Sequence, residues 1–296
     1  MRRTQALALM AAAATGVQVG AALVATRFVV HEIGPASLAF LRYAIAVLCL
    51  VPPLIMSART RFAPRDLLVV MGLGIVQFGI LIALLNLGVQ FISSTRAALL
   101  FSTFPLMTMV IAAALGRERL SGRKAIGVVL TVVGVAIALG ERLITESSAG
   151  EGMGALLVLA AALCGAACSV LYRPYLVRYP TLPVGFWAML ASVVFLSGLA
   201  GAEGLFTNPP HLGKQGWLAV VFIGLSSGVG YVLWLWALKH ATPTRVTVFL
   251  SLSPITAALL GALVLDEPLT AGVFIGLAGV VSGLWLATRT ASAEGG

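Results

Sequence analysis

Gly224-Leu225-Ser226-Ser227-Gly228 matches G-x-S-x-G, the pattern that can expose a nucleophilic serine on a sharp strand-to-helix turn. Such a serine needs a base within reach. The three histidines, His31, His211 and His240, all fall at the ends of long apolar blocks, away from that motif. No H-E-x-x-H and no pair of aspartates within a block accompanies them, so enzymatic chemistry is a remote reading. Cys49, Cys164 and Cys168 also lie in apolar blocks. Their odd number gives no disulfide framework, and no histidine is spaced to complete a metal site. The expectation is therefore no metal and no cofactor.

The charged residues point elsewhere. Glu118 and Glu267 stand just before Ser121 and Thr270, residues suited to cap a helix, and a carboxylate there complements the helix dipole. A structural role is the first reading for both glutamates, with coupling to an ion as the second. No Asp or Glu falls near the centre of any apolar block, where a proton relay would need one. Arg42 lies inside the second block and is assigned to a structural motif. No Lys or Arg is expected at mid-depth, which disfavours phosphorylated sugars and nucleotides as cargo. The cargo expected is neutral or zwitterionic.

Uncharged polar and aromatic residues within the blocks are candidates for a small-molecule pocket, which is mostly apolar with a few placed polar groups. They are Gln18, Gln77, Asn86, Ser102, Tyr172, Tyr231, Trp234 and Ser251. Asn86 and Gln90 share a helix face, and Gln77 points away from them by ordinary helical spacing. The alternative for each is hydrogen bonding between helices at modest strength. Gln18, Gln77, Tyr231 and Trp234 rank first, because the residues they pair with in the repeat described next differ from them, and a substrate is asymmetric.

The elements that must position these residues are long helices. The chain has 296 residues, 60% of them hydrophobic and 10% charged, with mean hydropathy +1.05. Ten blocks stand out, at 5–30, 36–57, 66–90, 94–115, 122–141, 152–178, 183–202, 215–239, 244–265 and 271–289. About 20 apolar residues let a helix cross roughly 30 Å of hydrocarbon. Alternating strand-like segments are absent, which excludes a membrane barrel. Arg2-Arg3 followed by Ala6–Ala14 resembles a signal peptide, yet the apolar run continues past Val30, so a retained first helix is expected.

The blocks are written twice. Phe104-Pro105-Leu106 leading to Glu118, Leu120 and Ser121 returns 149 residues later as Ser253-Pro254-Ile255 leading to Glu267, Leu269 and Thr270. Thr95-Arg96 recurs as Thr244-Arg245, and Gly127 as Gly276, at the same offset. Five helices per unit is an odd number, so the second copy enters the membrane from the opposite side, the inverted duplication of many secondary transporters. The units are 1–145 and 146–296, with the polar stretch Glu141–Glu151 joining them. The fold expected is an all-α integral membrane protein of ten transmembrane helices in two inverted five-helix repeats.

Orientation follows from the basic residues at the helix ends. With the N-terminus inside, 14 of the 19 Lys and Arg fall on the inner side, four on the outer side, and Arg42 within a helix. Both termini are thus expected in the cytoplasm. The net charge of +9 is this inner rim rather than a nucleic-acid surface. Small-residue pairs such as Gly16/Gly20, Gly224/Gly228 and Gly279/Gly283 let helices approach closely. Packing within the chain is the first reading, and a dimer face on helices five and ten the second.

The doubled Pro-hydrophobic … Glu-x-Leu-[Ser/Thr] pattern, with Leu41-Arg42-Tyr43 in the second helix, resembles the EamA branch of the drug/metabolite transporter superfamily. Within it the chain looks most like the YddG-type aromatic amino-acid exporters. The resemblance implies an inner-membrane secondary transporter, working by alternating access without a midplane carboxylate. Its cargo would be small neutral or zwitterionic metabolites, with aromatic or hydrophobic amino acids favoured. Drug efflux is the alternative, and a non-transporting scaffold or intramembrane enzyme is remote. Pro105 and Pro254 are expected to bend helices four and nine and to take part in gating. The partners implied are the bilayer and a small-molecule substrate, with no nucleic acid, in a monomer or homodimer.

Overall fold

The computed structural model describes residues 2–57, 60–117, 149–267, 269 and 271–289, together with 122, 125–127, 129, 130, 133 and 134. Glu118, Ser121 and Thr270, and most of the fifth block, lie outside the described residues. Among the described residues every regular element is helical. Among these residues eight helical spans are long and apolar enough to cross a membrane: Thr4–Val29, Pro35–Met56, Pro64–Phe91, Ser94–Ala114, Gly150–Arg178, Thr181–Ala202, Lys214–His240 and Pro243–Val264. The helix Ala271–Arg289 follows them.

Four spans are single helices: α1 (Arg2–Val29), α2 (Pro35–Met56), and later α9 (Thr181–Ala202) and α10 (Lys214–His240). The third is composite. It runs as α3 (Pro64–Gly74), a π-helical turn (Ile75–Ile80) and α4 (Leu81–Phe91). The fourth is α5 (Ser94–Phe101) and α6 (Phe104–Ala114), and the sixth is α7 (Ala149–Leu171) and α8 (Arg173–Arg178). The ninth comprises α11 (Pro243–Thr247), a 3₁₀ stretch (Val248–Leu252) and α12 (Ser253–Val264), and the last helix is α13 (Ala271–Arg289).

The two repeat prolines do more than bend their helices. Pro105 and Pro254 each stand in the first turn of a new segment, α6 and α12. Proline is tolerated there because its missing N–H would have had no partner. The turn before Pro105 is tightened instead: Ser102 N donates to Ala98 O and Leu99 O, and Thr103 N to Leu100 O. Both spans are therefore interrupted at mid-depth.

Buried and exposed faces alternate along each helix. On α10, Ser227, Tyr231 and Trp234 are buried while Leu218, Leu225 and Val229 are exposed. Exposed apolar side chains on nearly every span, including Leu48, Leu68, Val194 and Leu263, suit a hydrocarbon solvent that exacts no penalty for them.

Glycine sets the closest approaches, and these join helices of the first half to helices of the second. A Cβ on Gly16 would strike the Phe249 carbonyl, and one on Gly20 the Ser253 carbonyl, so α1 lies directly on the broken ninth span. Gly224 and Gly228 of α10 meet Ile45 and Ala46 of α2, and Gly74 meets the backbone of Ala188. Gly279 of α13 faces Gly134, with a Cβ there 2.7 Å from the Gly134 Cα. That glycine pair is thus engaged within one chain.

Candidate functional site

A cavity of about 90 Å³, room for several water molecules, lies between α1, α2, the third span and α10. Aromatic side chains form part of its walls. Phe78 lies 4.8 Å from Tyr43 with the rings tilted and meets Tyr231 edge-on at 4.2 Å. Phe104 lies 5.3 Å from Phe101 and edge-on to Trp234 at 6.2 Å. Edge-to-face geometry matches the ring quadrupoles and adds about 0.5–1.5 kcal/mol per pair beyond simple burial. The cage is therefore stiff.

Local structure explains how these side chains come together. On α10, Ser227, Tyr231 and Trp234 fall at spacings of four and three, one face of a helix. Gln77 and Phe78 lie in the π-helical turn, which inserts an extra residue and rotates the face presented by the third span. Phe101 and Phe104 flank the interruption before Pro105.

Polar groups are few. Thr15 Oγ1 donates to Ala11 O at 2.9 Å and to Gly230 O at 3.2 Å. Gln18 Nε2 donates to Ser226 Oγ at 3.3 Å. The Gln77 Oε1 atom is buried with no hydrogen-bond partner. No Asp or Glu is among the lining residues.

Arg42 corrects the expectation that no cation stands at mid-depth. It lines the cavity, is 7% exposed, and its Nε donates to Ser227 Oγ at 2.7 Å. Ser227 is the middle residue of α10, and its hydroxyl donates a hydrogen bond to Ile223 O at 2.5 Å. Beyond a structural motif in the second helix, Arg42 is part of the cavity wall.

Of the sequence-predicted pocket residues, Gln18, Gln77, Tyr231 and Trp234 line the cavity. The other four do not. Asn86 Nδ2 donates to Pro35 O at 2.9 Å, tying α4 to the start of α2. Ser102 Oγ returns to Ala98 O at 3.0 Å within its own turn. Tyr172 is fully buried behind Tyr231, with ring centroids 6.5 Å apart. Ser251 is buried in the 3₁₀ stretch. Sequence reasoning missed Tyr43, Phe78, Phe101 and Phe104 as wall residues. Phe78 and Phe101 read as ordinary apolar filling, and Tyr43 and Phe104 only as members of motifs.

Glu267 reaches a helix N-terminus far from it in the sequence. Its Oε1 accepts from Ser94 N at 2.9 Å and Ser94 Oγ at 2.7 Å, and its Oε2 from Thr95 N at 3.2 Å. It thereby satisfies the orphan donors at the N-terminus of α5, across the repeat. Glu203 does the same for α2, accepting from Ala36 N at 2.9 Å and from Ser37 N and Oγ at 2.7 Å each.

The EamA-like transporter family matches this chain twice, over residues 6–140 and 152–289. The chain belongs to that family. An uncharacterized transporter of Archaeoglobus fulgidus is 28% identical over 271 residues, covering 91% of this chain and 94% of that protein. A probable amino-acid metabolite efflux pump of Escherichia coli is 27% identical over 86% of each chain. A probable terminal-alkyne amino-acid exporter of Streptantibioticus cattleyicolor is 31% identical over 67% of this chain and 66% of its own. A solved crystal structure, 20% identical, superposes over 98% of both chains with a TM-score of 0.77 and shares the fold. The protein is a multi-span membrane transporter of a two-repeat family.

Proposed function

We propose that this EamA-family transporter exports small zwitterionic metabolites, amino acids with aromatic or hydrophobic side chains foremost. The observation that carries the reading is the cavity: lined by aromatic and aliphatic side chains, provided with a few polar groups, and set between helices from both halves of the chain. Such a site suits a compact substrate with an apolar side chain and one polar end. The names of two relatives, which speak of amino-acid export for those proteins, support the same cargo class. Gln77 Oε1, an unpaired acceptor on the wall, is available to a substrate N–H.

In this reading residues 1–145 and 146–296 are the two inverted units, and they rock about the cavity to expose it to one side and then the other. The interruptions before Pro105 and Pro254 supply the bending points. Both termini are cytoplasmic, as the distribution of basic residues indicates. Glu203, Glu267 and the Arg96–Glu151 pair at 2.8 Å then join the halves on the outer face. Asp66, Arg178 and Tyr179 join them on the inner face.

The test is flux into liposomes containing the purified protein, with labelled phenylalanine, threonine and an uncharged drug, with and without a pH gradient. Saturable amino-acid flux is expected. Flux of the drug alone would transfer the site to efflux of toxic compounds.

A further inference from the structure

We infer that Arg42 is the anchor for a substrate carboxylate, which makes the cavity selective for carboxylic acids; the inference deepens the amino-acid reading and rests on it. The starting point is a cation with no counter-charge. Arg42 stands inside a membrane-spanning helix and is almost wholly buried. The ion pairs among the described residues join Arg96 to Glu151 and Arg178 to Asp66, and neither involves Arg42. Among the described residues no carboxylate lines the cavity with it.

Its guanidinium is held at one edge only. Nε is fixed by Ser227 Oγ at 2.7 Å, and among the described residues no acceptor meets the two terminal nitrogens. Ser227 is itself held by the Ile223 carbonyl, so the edge is fixed in place rather than swinging. The neighbouring Tyr43 ring, with its centroid 5.6 Å from the guanidinium carbon, adds a cation–π contact. A guanidinium presents its donors in a planar fork that matches a carboxylate in two parallel hydrogen bonds. An unpaired intramembrane charge usually marks a substrate or ion path.

The arrangement also sets what is refused. An amine or a cationic drug in this cavity would face a like charge in a low-dielectric wall, with no acid to receive it. A carboxylate supplies the missing counter-charge, and the aromatic cage takes the rest of the molecule.

The test reads binding, not flux. Purified full-length protein in detergent is heated with 3-phenylpropionate, phenylalanine or phenethylamine, since a ligand that binds the folded state raises Tm with its concentration. The acid and the amino acid are expected to stabilise the wild type, and the amine is not. R42Q is expected to bind both carboxylates about tenfold to a hundredfold more weakly, the loss of a charge-assisted hydrogen-bonded pair. R42K should recover part of that affinity. Stabilisation by phenethylamine equal to that by phenylpropionate overturns the proposal, as does R42Q binding like wild type. If R42Q does not fold, the wild-type ligand series decides alone. Stabilisation by phenylpropionate without phenylalanine keeps Arg42 as the anchor and removes the amino-acid reading. A protein that responds to none of the three overturns both.

Discussion

The Glu267 carboxylate accepts a hydrogen bond from Thr95 Oγ1 at 2.6 Å, although 172 residues separate the two. One side chain from the end of the ninth span thus caps the helix that opens the fourth. Asp266, beside it, holds φ at +52°, a left-handed conformation that aspartate tolerates better than most residues and that turns the chain toward α5.

Removing that cap should cost stability. E267A leaves the Ser94 and Thr95 amides and hydroxyls without their acceptor, and is expected to lower unfolding free energy by about 2–3 kcal/mol. E267Q keeps one acceptor oxygen and should cost about half as much. T95V removes one bond, about 1 kcal/mol, and the E267A/T95V double variant should fall short of the sum because the two share that bond. Denaturation in detergent, followed by tryptophan fluorescence, measures all four.

Asn86 and Trp234 should separate stability from recognition. N86A breaks the tie to Pro35 O and is expected to lower Tm with little change in substrate affinity. W234A removes a cavity wall and should weaken binding of an aromatic substrate by about tenfold, near the range of a single aromatic contact with its buried area. Equal losses of affinity in the two variants would mean that the cavity does not hold the substrate.

Glycines at helix contacts should tolerate nothing larger, and those on open faces should tolerate alanine. A side chain on Gly20 collides with the backbone around Ser253, so G20L is expected to abolish folded, monodisperse protein. Gly198 meets nothing within 4 Å. G198A should raise stability by up to about 1 kcal/mol through helix propensity alone. Size-exclusion profiles and Tm distinguish the two outcomes.

The Asp66 cluster should show an unequal dependence on its partners. Arg178 is 64% exposed at the side chain, so R178A is expected to cost little stability and to matter less as salt rises. D66A should cost more, because it also frees the Tyr179 hydroxyl, which gives 2.8 Å to Asp66 and accepts from Ala63 N at 3.2 Å.

The long apolar blocks, their proline and charged boundaries, and the 149-residue repeat were legible in the chain, because lipid forces every backbone group into helices and so writes the architecture into composition. Gln18, Gln77, Tyr231 and Trp234 were also legible, since a polar or amphipathic side chain amid apolar neighbours stands out. What the sequence could not place was set by rotation and by contacts between distant segments. The π-helical turn re-aims the third span without any marker residue, so Phe78 meets Tyr231 where simple periodicity would not bring it. Asn86 and Ser102 look like pocket residues on their own helices and are used instead by a neighbouring carbonyl and by their own turn. Arg42 is a motif residue in one dimension. Only the packing of α2 on α10 sets it beside Ser227, facing a cavity without an acid, because burial and the absence of a partner are properties of the assembled helices and not of any one of them.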